Sequence, residues 1–253
     1  MKKPLIHCIT NVVTVNDCAN IILAAGGSPT MAHHPLEVAE IAAASGALVL
    51  NMGAMESYDA MMIAGQAAHA AGVSIVLDPV GAAGASYRRQ KTMELIEAVH
   101  PTCIRGNYSE IKALALAALP KIQAVNPKTS NEFLGVDAAE NEELSDKLLM
   151  KYADYTGAII VASGAVDLIA TPTSVMALQG GSPLMALVTG TGCMSTALLG
   201  LALARSGANS PATAIIQCLS FINDCAEKAE AKTKMADGGT MTFRMYLIDE
   251  VSK

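Results

Sequence analysis

The sequence predicts a layered α/β fold, a three-layer α/β/α arrangement around a mostly parallel central sheet. Three observations predict it. Short apolar runs recur along the chain without the polar alternation of a half-exposed strand, which is how strands buried on both faces read. Longer stretches with helical periodicity separate these runs. The resulting strand, helix, strand repetition is that of right-handed crossovers joining parallel neighbours. With 253 residues, 52% hydrophobic and only 16% charged, the chain has enough apolar surface for one large unit, and residues 1–253 are expected to form a single domain.

Taken in order, PLIHCIT (4–10) is the first strand, followed by helices over 14–25 and 35–45. ALVLNMG (47–53) and VSIVLDPV (73–80) are strands flanking a helix over 56–71, and TCIRGN (102–107) follows a helix over 88–99. A helix over 107–118 precedes PKIQAVNPKTSNEFLGV (120–136), where two prolines and polar residues break the pattern. A helix over 139–156 leads into the strand AIIVASG (158–164). VDLIATPTSVMALQGG (166–181) reads as a hairpin turning at Thr171-Pro172, placed at the sheet's edge. Helices over 193–205 and 209–231 complete the pattern.

Charge narrows the partners. A net charge of −6 with no Lys/Arg-rich run leaves no electrostatic footprint for nucleic acid or an anionic membrane, so a small molecule is the expected ligand. MKKPLIHCITN lacks the apolar core of a secretory signal, and the apolar span at 197–204 is shorter than the roughly 18 residues a membrane helix needs. A cytoplasmic protein is expected. Six scattered cysteines without zinc-ligand spacing fit free thiols in a reducing compartment, and His7, His33, His34, His69 and His100 form no metal-hydrolase motif. The pair His33-His34 is a candidate border of the site.

In open α/β sheets, ligands bind outside the carboxyl ends of the strands. Those ends carry Thr10-Asn11, Asn51, Asp78, Arg105 to Asn107, and Ser163-Gly164. VTGTGCM (188–194) adds glycine-flanked backbone at a helix start, where unpaired N–H groups and the helix dipole attract an anion such as phosphate. It is not a Walker A loop, because no Gly-Lys-Ser/Thr follows. The same N-terminus is expected to lower the thiol pKa of Cys193 toward neutrality, making it a proton acceptor or nucleophile. Asp78 suits a magnesium-bound water, a substrate group or a helix cap. Asn107 and Glu110 have capping-box spacing, and beside Arg105 they also offer a cation for phosphate and a carboxylate for metal.

HCITNVVTVNDCANIILAAGGSPTMA (7–32), LVLNMGAM (48–55), VLDPVGAAGAS (76–86), IRGNYSEI (104–111), GVDA (135–138) and VTGTGCM together resemble, in order and spacing, the hydroxyethylthiazole kinases of thiamine salvage, which have a ribokinase-like fold. The resemblance implies ATP-dependent phosphorylation of the primary hydroxyl of 4-methyl-5-(2-hydroxyethyl)thiazole, with magnesium. It implies that Met31, Gly192 and Asn11 contact the thiazole and that Arg105 and Ser163 bind ATP. It further implies that Asp78 and Glu110 organise magnesium and that the backbone of Gly190, Thr191, Gly192 and Cys193 forms an anion hole. Most ribokinase-like kinases carry an aspartate where this sequence has Cys193, so the thiol is expected either to orient the hydroxyl and accept its proton late or merely to position the alcohol. A homotrimer with sites at subunit contacts is also implied. VASG stands in place of the commoner Ile-Thr-Gly ending, and FLGVDA lacks the basic residue that often precedes Gly-Val-Asp. Three other readings are kept: a kinase for hydroxymethylpyrimidine or pyridoxal, a cysteine acyl transferase or hydrolase, and a non-catalytic nucleotide-binding module.

Overall fold

The apolar runs pair into one eight-stranded sheet in the computed structural model, which describes residues 3–125, 144–207 and 209–253. The strands are β1 (Leu5–Ile9), β2 (Ser28–Thr30), β3 (Ala47–Asn51), β4 (Ser74–Asp78), β5 (Cys103–Asn107), β6 (Ile159–Ser163), β7 (Val166–Thr171) and β8 (Ser174–Gln179). Their spatial order is β2-β1-β3-β4-β5-β6-β7-β8. Every pairing from β2 to β6 is parallel, and only β7 runs antiparallel to both its neighbours, as a hairpin at the edge requires.

The helices are α1 (Val15–Ala24), α2 (Val38–Ala44), α3 (Tyr58–Ala70), α4 (Ser86–Val99), α5 (Tyr108–Val125), α6 (Asp146–Thr156), α7 (Thr191–Arg205), α8 (Pro211–Met235) and α9 (Thr240–Val251). Strand order decides the face each one covers. From β3 to β6 the chain steps across the sheet in one direction, so right-handed crossovers put α3, α4 and α5 on one face. The step from β1 to β2 runs the other way and sends α1 to the opposite face.

Two cores result, one on each side. Leu48 and Leu50 of β3 and Ile75 and Leu77 of β4 pack with α2 to α6. Their alternates Ala47, Val49 and Val76 pack with α1, α7, α8 and α9. This alternation of wholly apolar residues is what burial on both faces demands. The carboxyl ends of β1 and β3, whose connections leave toward opposite faces, form a crevice at the point where the strand order reverses.

Three features differ from the sequence expectation. The helix expected to stop near residue 118 continues as α5 through Pro120 to Val125. Proline removes one N–H and crowds the carbonyl a turn earlier, but its fixed φ is helical, and Leu119 and Ile122 pack on the core and carry the helix onward. The remainder of the 120–136 segment, the expected start of a helix at 139 and the GVDA motif at 135–138 lie outside the described residues. Strand β2 and helix α9 are present without having been expected. Helix α8 also runs past residue 231, to Met235.

Helix α9 is fastened to α1 by Arg244, which donates to the carboxylate of Asp17, only 5% exposed. Phe243 and Leu247 of α9 are buried alongside. Arg244→Met would leave that carboxylate without its counter-charge and is expected to lower unfolding stability by about 2 kcal/mol, less than for a fully buried pair because the arginine is partly exposed. Adding Asp17→Asn should recover part of the loss, as measured by urea unfolding of both variants.

Candidate active site

Parallel register brings the polar strand ends level. Asn51 of β3 pairs with Asp78 of β4, and Asn107 of β5 with Ser163 of β6. Above them sits the first turn of α7. Gly190 precedes that turn at φ +92°, a left-handed conformation that favours glycine, and a Cβ there would stand 2.9 Å from Thr14. A Cβ on Gly192 would stand 2.7 Å from Nη1 of Arg105, so the absent side chain lets the guanidinium lie directly against the helix start. The backbone N–H groups of the first turn have no intrahelical acceptor. With Arg105 beside them they form a positively polarised cradle for an anion.

Asp78 is 2% exposed and accepts a hydrogen bond of 2.7 Å from Thr196 Oγ1 on the second turn of α7. Thr196 also lies 3.1 Å from the carbonyl of Gly192. Burial pushes the Asp78 carboxyl up to about 6, against the lowering influence of Arg105 and Thr196, and Glu110 adds to the rise. Glu110 has the capping-box arrangement its spacing predicts: Oε2 accepts from Asn107 N–H, and Asn107 Oδ1 accepts from Glu110 N–H, both at 2.9 Å. Its other oxygen accepts from Gly81 N–H at 2.9 Å, fixing the Pro-Val-Gly turn beyond β4.

Cys193 sits in the crevice between β1 and β3. Asn51 Nδ2 donates to its Sγ at 3.3 Å and Asn11 Nδ2 at 3.6 Å. Both amides are held in orientation. Asn51 Oδ1 accepts from Gly53 N–H and from Asn11 Nδ2, while Asn11 Oδ1 accepts from the backbone of Val13 and Thr14 and from the Thr14 hydroxyl. The expected depression of the thiol pKa is overturned. Burial raises it first, the neighbouring Asp78 carboxylate raises it further, and the hydrogen bonds from Thr14, Asn11 and Asn51 offset only part of this. Cys193 is therefore a protonated thiol at neutral pH.

Asp78, Arg105, Glu110, Ser163 and Cys193 border one cavity of about 870 Å³. Arg105 Nε and Ser163 Oγ are buried there with no hydrogen-bond partner among the described residues. Asn11 reaches the cavity only through Cys193. Met31 is half-buried against the core beside α1, outside the cavity lining. His33 and His34 likewise do not line this cavity: His33 turns to the Met31 carbonyl, and His34 accepts from Leu36 N–H. Asn51 had been noted only as a strand end, and Thr14 and Thr196 carried no signal in the sequence.

The profile of the hydroxyethylthiazole kinase family matches residues 1–253. The chain belongs to the hydroxyethylthiazole kinase family. A hydroxyethylthiazole kinase from Methanobrevibacter smithii is 36% identical over 261 residues, covering 100% of this chain and 88% of that protein. The solved structure of the family member from Pyrococcus horikoshii OT3 superposes with a TM-score of 0.82 at 31% identity, covering 99% of this chain and 88% of that one. A ribokinase-like superfamily protein from Enterococcus faecalis V583 matches with a TM-score of 0.58 at 12% identity, over 98% and 88% of the two chains, which shows the shared ribokinase-like fold.

The buried carboxylate has a cost within this family member's fold. Because the folded pKa of Asp78 lies above the unfolded value of 3.8, its contribution favours folding below pH 4 and is lost as pH rises through 6. The difference amounts to about 3 kcal/mol in ligand-free protein. Asp78→Asn is expected to raise the urea midpoint at pH 8 and to leave it near the wild-type value at pH 4. An unchanged midpoint at pH 8 would show that Asp78 is not under strain from burial.

Proposed function

We propose that this protein transfers the γ-phosphoryl group of ATP to the primary hydroxyl of 4-methyl-5-(2-hydroxyethyl)thiazole, in thiamine salvage. The observation that carries the reading is the convergence of Arg105, the orphan N–H groups at 191–193, the Asp78 carboxylate and the amide-bound Cys193 thiol on one cavity. In this reading Arg105 and the backbone of Gly190, Thr191 and Gly192 hold the transferring phosphoryl group, and Ser163 holds ATP further along. Gly192 bounds the thiazole with Asn11 behind Cys193, and Met31, outside this cavity, completes the pocket of a neighbouring subunit in the trimer.

The residues present suit magnesium. Asp78 and Glu110 supply hard carboxylate oxygens to the same cavity, and their mutual repulsion at Asp78 would be relieved by a cation. Magnesium there would neutralise charge on the phosphates. Phosphoryl transfer has a loose transition state, so positioning and charge stabilisation dominate the rate. The acceptor oxygen forms its bond to phosphorus as the bond to ADP breaks, and the hydroxyl proton leaves late, when it is acidic enough to pass to the new phosphate. Cys193, a thiol whose sulfur is pinned by two amides, orients the hydroxyl and has no need to be a base.

The reading extends to a cytoplasmic homotrimer. Val12 and Val13 are 79% and 67% exposed next to Asn11, and Leu187 is 66% exposed just ahead of α7, which suits a subunit contact beside the acceptor site. No helix of the described residues is long and apolar enough to cross a membrane, and the six cysteines are free.

Acceptor-dependent ADP release, measured with ATP and magnesium, should occur with hydroxyethylthiazole and not with hydroxymethylpyrimidine or pyridoxal. Release with either of the other alcohols instead would reassign the substrate. Cys193→Ser, which keeps a hydrogen-bonding group, should retain kcat within about tenfold, and Cys193→Ala should stay short of the loss of a hundredfold or more that removing a general base brings. A thousandfold loss in Cys193→Ala would restore the base.

A further inference from the structure

Two arginines on the first turn of α4 direct their charge at backbone. Arg88 Nη1 donates to the Val80 carbonyl and Arg89 Nη1 to the Ala82 carbonyl, both at 3.1 Å. Neither forms an ion pair among the described residues. The turn they hold runs from Pro79 to Ala82 and is closed by Ala82 N–H on the Pro79 carbonyl at 2.9 Å. Gly81, its third residue, has φ +80°, while φ of Val80 is not positive, which makes it a type II turn. The peptide between Val80 and Gly81 has its carbonyl on Arg88 and its N–H on Glu110 Oε1 at 2.9 Å. A Cβ on Gly81 would stand 2.7 Å from Arg88 Nη1, so the guanidinium rests directly on the turn. One residue earlier, Val80 N–H bonds the Asp78 carboxylate. Consecutive N–H groups of one turn thus hold the two carboxylates that line the cavity.

We infer that Arg88 is a positioning residue for the magnesium end of the site, locking the Val80–Gly81 peptide so that Glu110 stays in place for the metal. The inference rests on the magnesium reading above. A type II turn becomes type I by rotation of its central peptide alone, with the bond that closes the turn kept in both forms. That rotation would carry Gly81 N–H away from Glu110. Arg88 opposes it from the other end of the same peptide, through a charge-assisted hydrogen bond that is about twice as strong as a neutral one. Its own backbone is fixed, since Thr92 Oγ1 donates to the Arg88 carbonyl at 2.7 Å and Leu95 and Ile96 bury the helix. Each Glu110 oxygen accepts one N–H, which leaves a lone pair on each for a metal-bound water. Groups that orient such a carboxylate without touching the metal are worth about ten- to a hundredfold in metal affinity.

Arg88→Met keeps the aliphatic stem and removes the donor. Arg89→Met removes the same charge one residue on, from a carbonyl outside the locked peptide. Hydrogen exchange of single amides in ligand-free protein reads the lock, and calorimetry of ADP across a magnesium series reads its effect on the metal. In Arg88→Met the Gly81 amide should exchange about tenfold faster while Ala82 stays protected, and half-maximal enhancement of ADP binding should need about tenfold more magnesium. ADP binding without magnesium in Arg88→Met, and both readouts in Arg89→Met, should stay within about twofold of wild type. Arg88→Lys, which keeps a charged donor, should recover most of both effects. Arg88→Gln, shorter and uncharged, guards against misfolding of the methionine variant and should give the same two shifts. The assignment is overturned if Gly81 exchange is unchanged in Arg88→Met and Arg88→Gln, if Ala82 is released along with it, as in a general loosening of the turn, or if the magnesium requirement does not move. The magnesium reading fails separately, when wild type binds ADP equally well with and without magnesium.

Discussion

The hydrogen bond from Thr196 to the buried carboxylate of Asp78 sets the position of everything that matters in this site. It ties the second turn of α7 to the end of a central strand, across 118 residues of sequence. Because a helix turn is rigid, fixing Thr196 also fixes Gly192 and Cys193 one turn earlier, and with them the unpaired N–H groups that face Arg105. The sheet supplies the other half of the arrangement. Parallel pairing holds Asn51 level with Asp78 and Asn107 level with Ser163, so the polar ends of four strands share one rim.

Burial gives these groups their character. Asp78 is an uncomfortable carboxylate in ligand-free protein, held by a threonine hydroxyl and an arginine but still pushed upward by its surroundings. Such a group favours a bound cation more strongly than an exposed carboxylate would, since the cation relieves a cost already present. The same burial acts in the opposite functional sense on Cys193, keeping its proton on. The two effects are consistent with a reaction that depends on where charge is held more than on removal of a proton in advance.

Much of the scaffold was legible because its signals are local. Strands buried on both faces show themselves as unbroken apolar runs, and the Asn107 to Glu110 spacing announced a capping box that the structure forms in full. Asp78 and Arg105 stood out as charged residues at the ends of such runs. What escaped was either too short or too distant. Strand β2 is three residues long and has no periodicity to read. Helix α9 did carry a signal, since Phe243, Leu247 and Val251 repeat every four residues and are all buried, but it is hidden behind Gly238-Gly239. The thiol's protonation was misjudged for a plainer reason. A helix N-terminus is visible in sequence, whereas burial and the approach of Asp78, Asn51 and Asn11 arise only when residues more than a hundred positions apart meet.

The protonated state of Cys193 has a chemical consequence outside catalysis. Oxidants and alkylating agents attack thiolates, and a sulfur that keeps its proton while half-shielded between two amides reacts slowly with both. Cys8, Cys18 and Cys103 are buried, and burial likewise pushes their thiols up, Cys18 to about 12. A sulfur that keeps its proton at the candidate site is thereby less open to peroxide than a cysteine nucleophile would be.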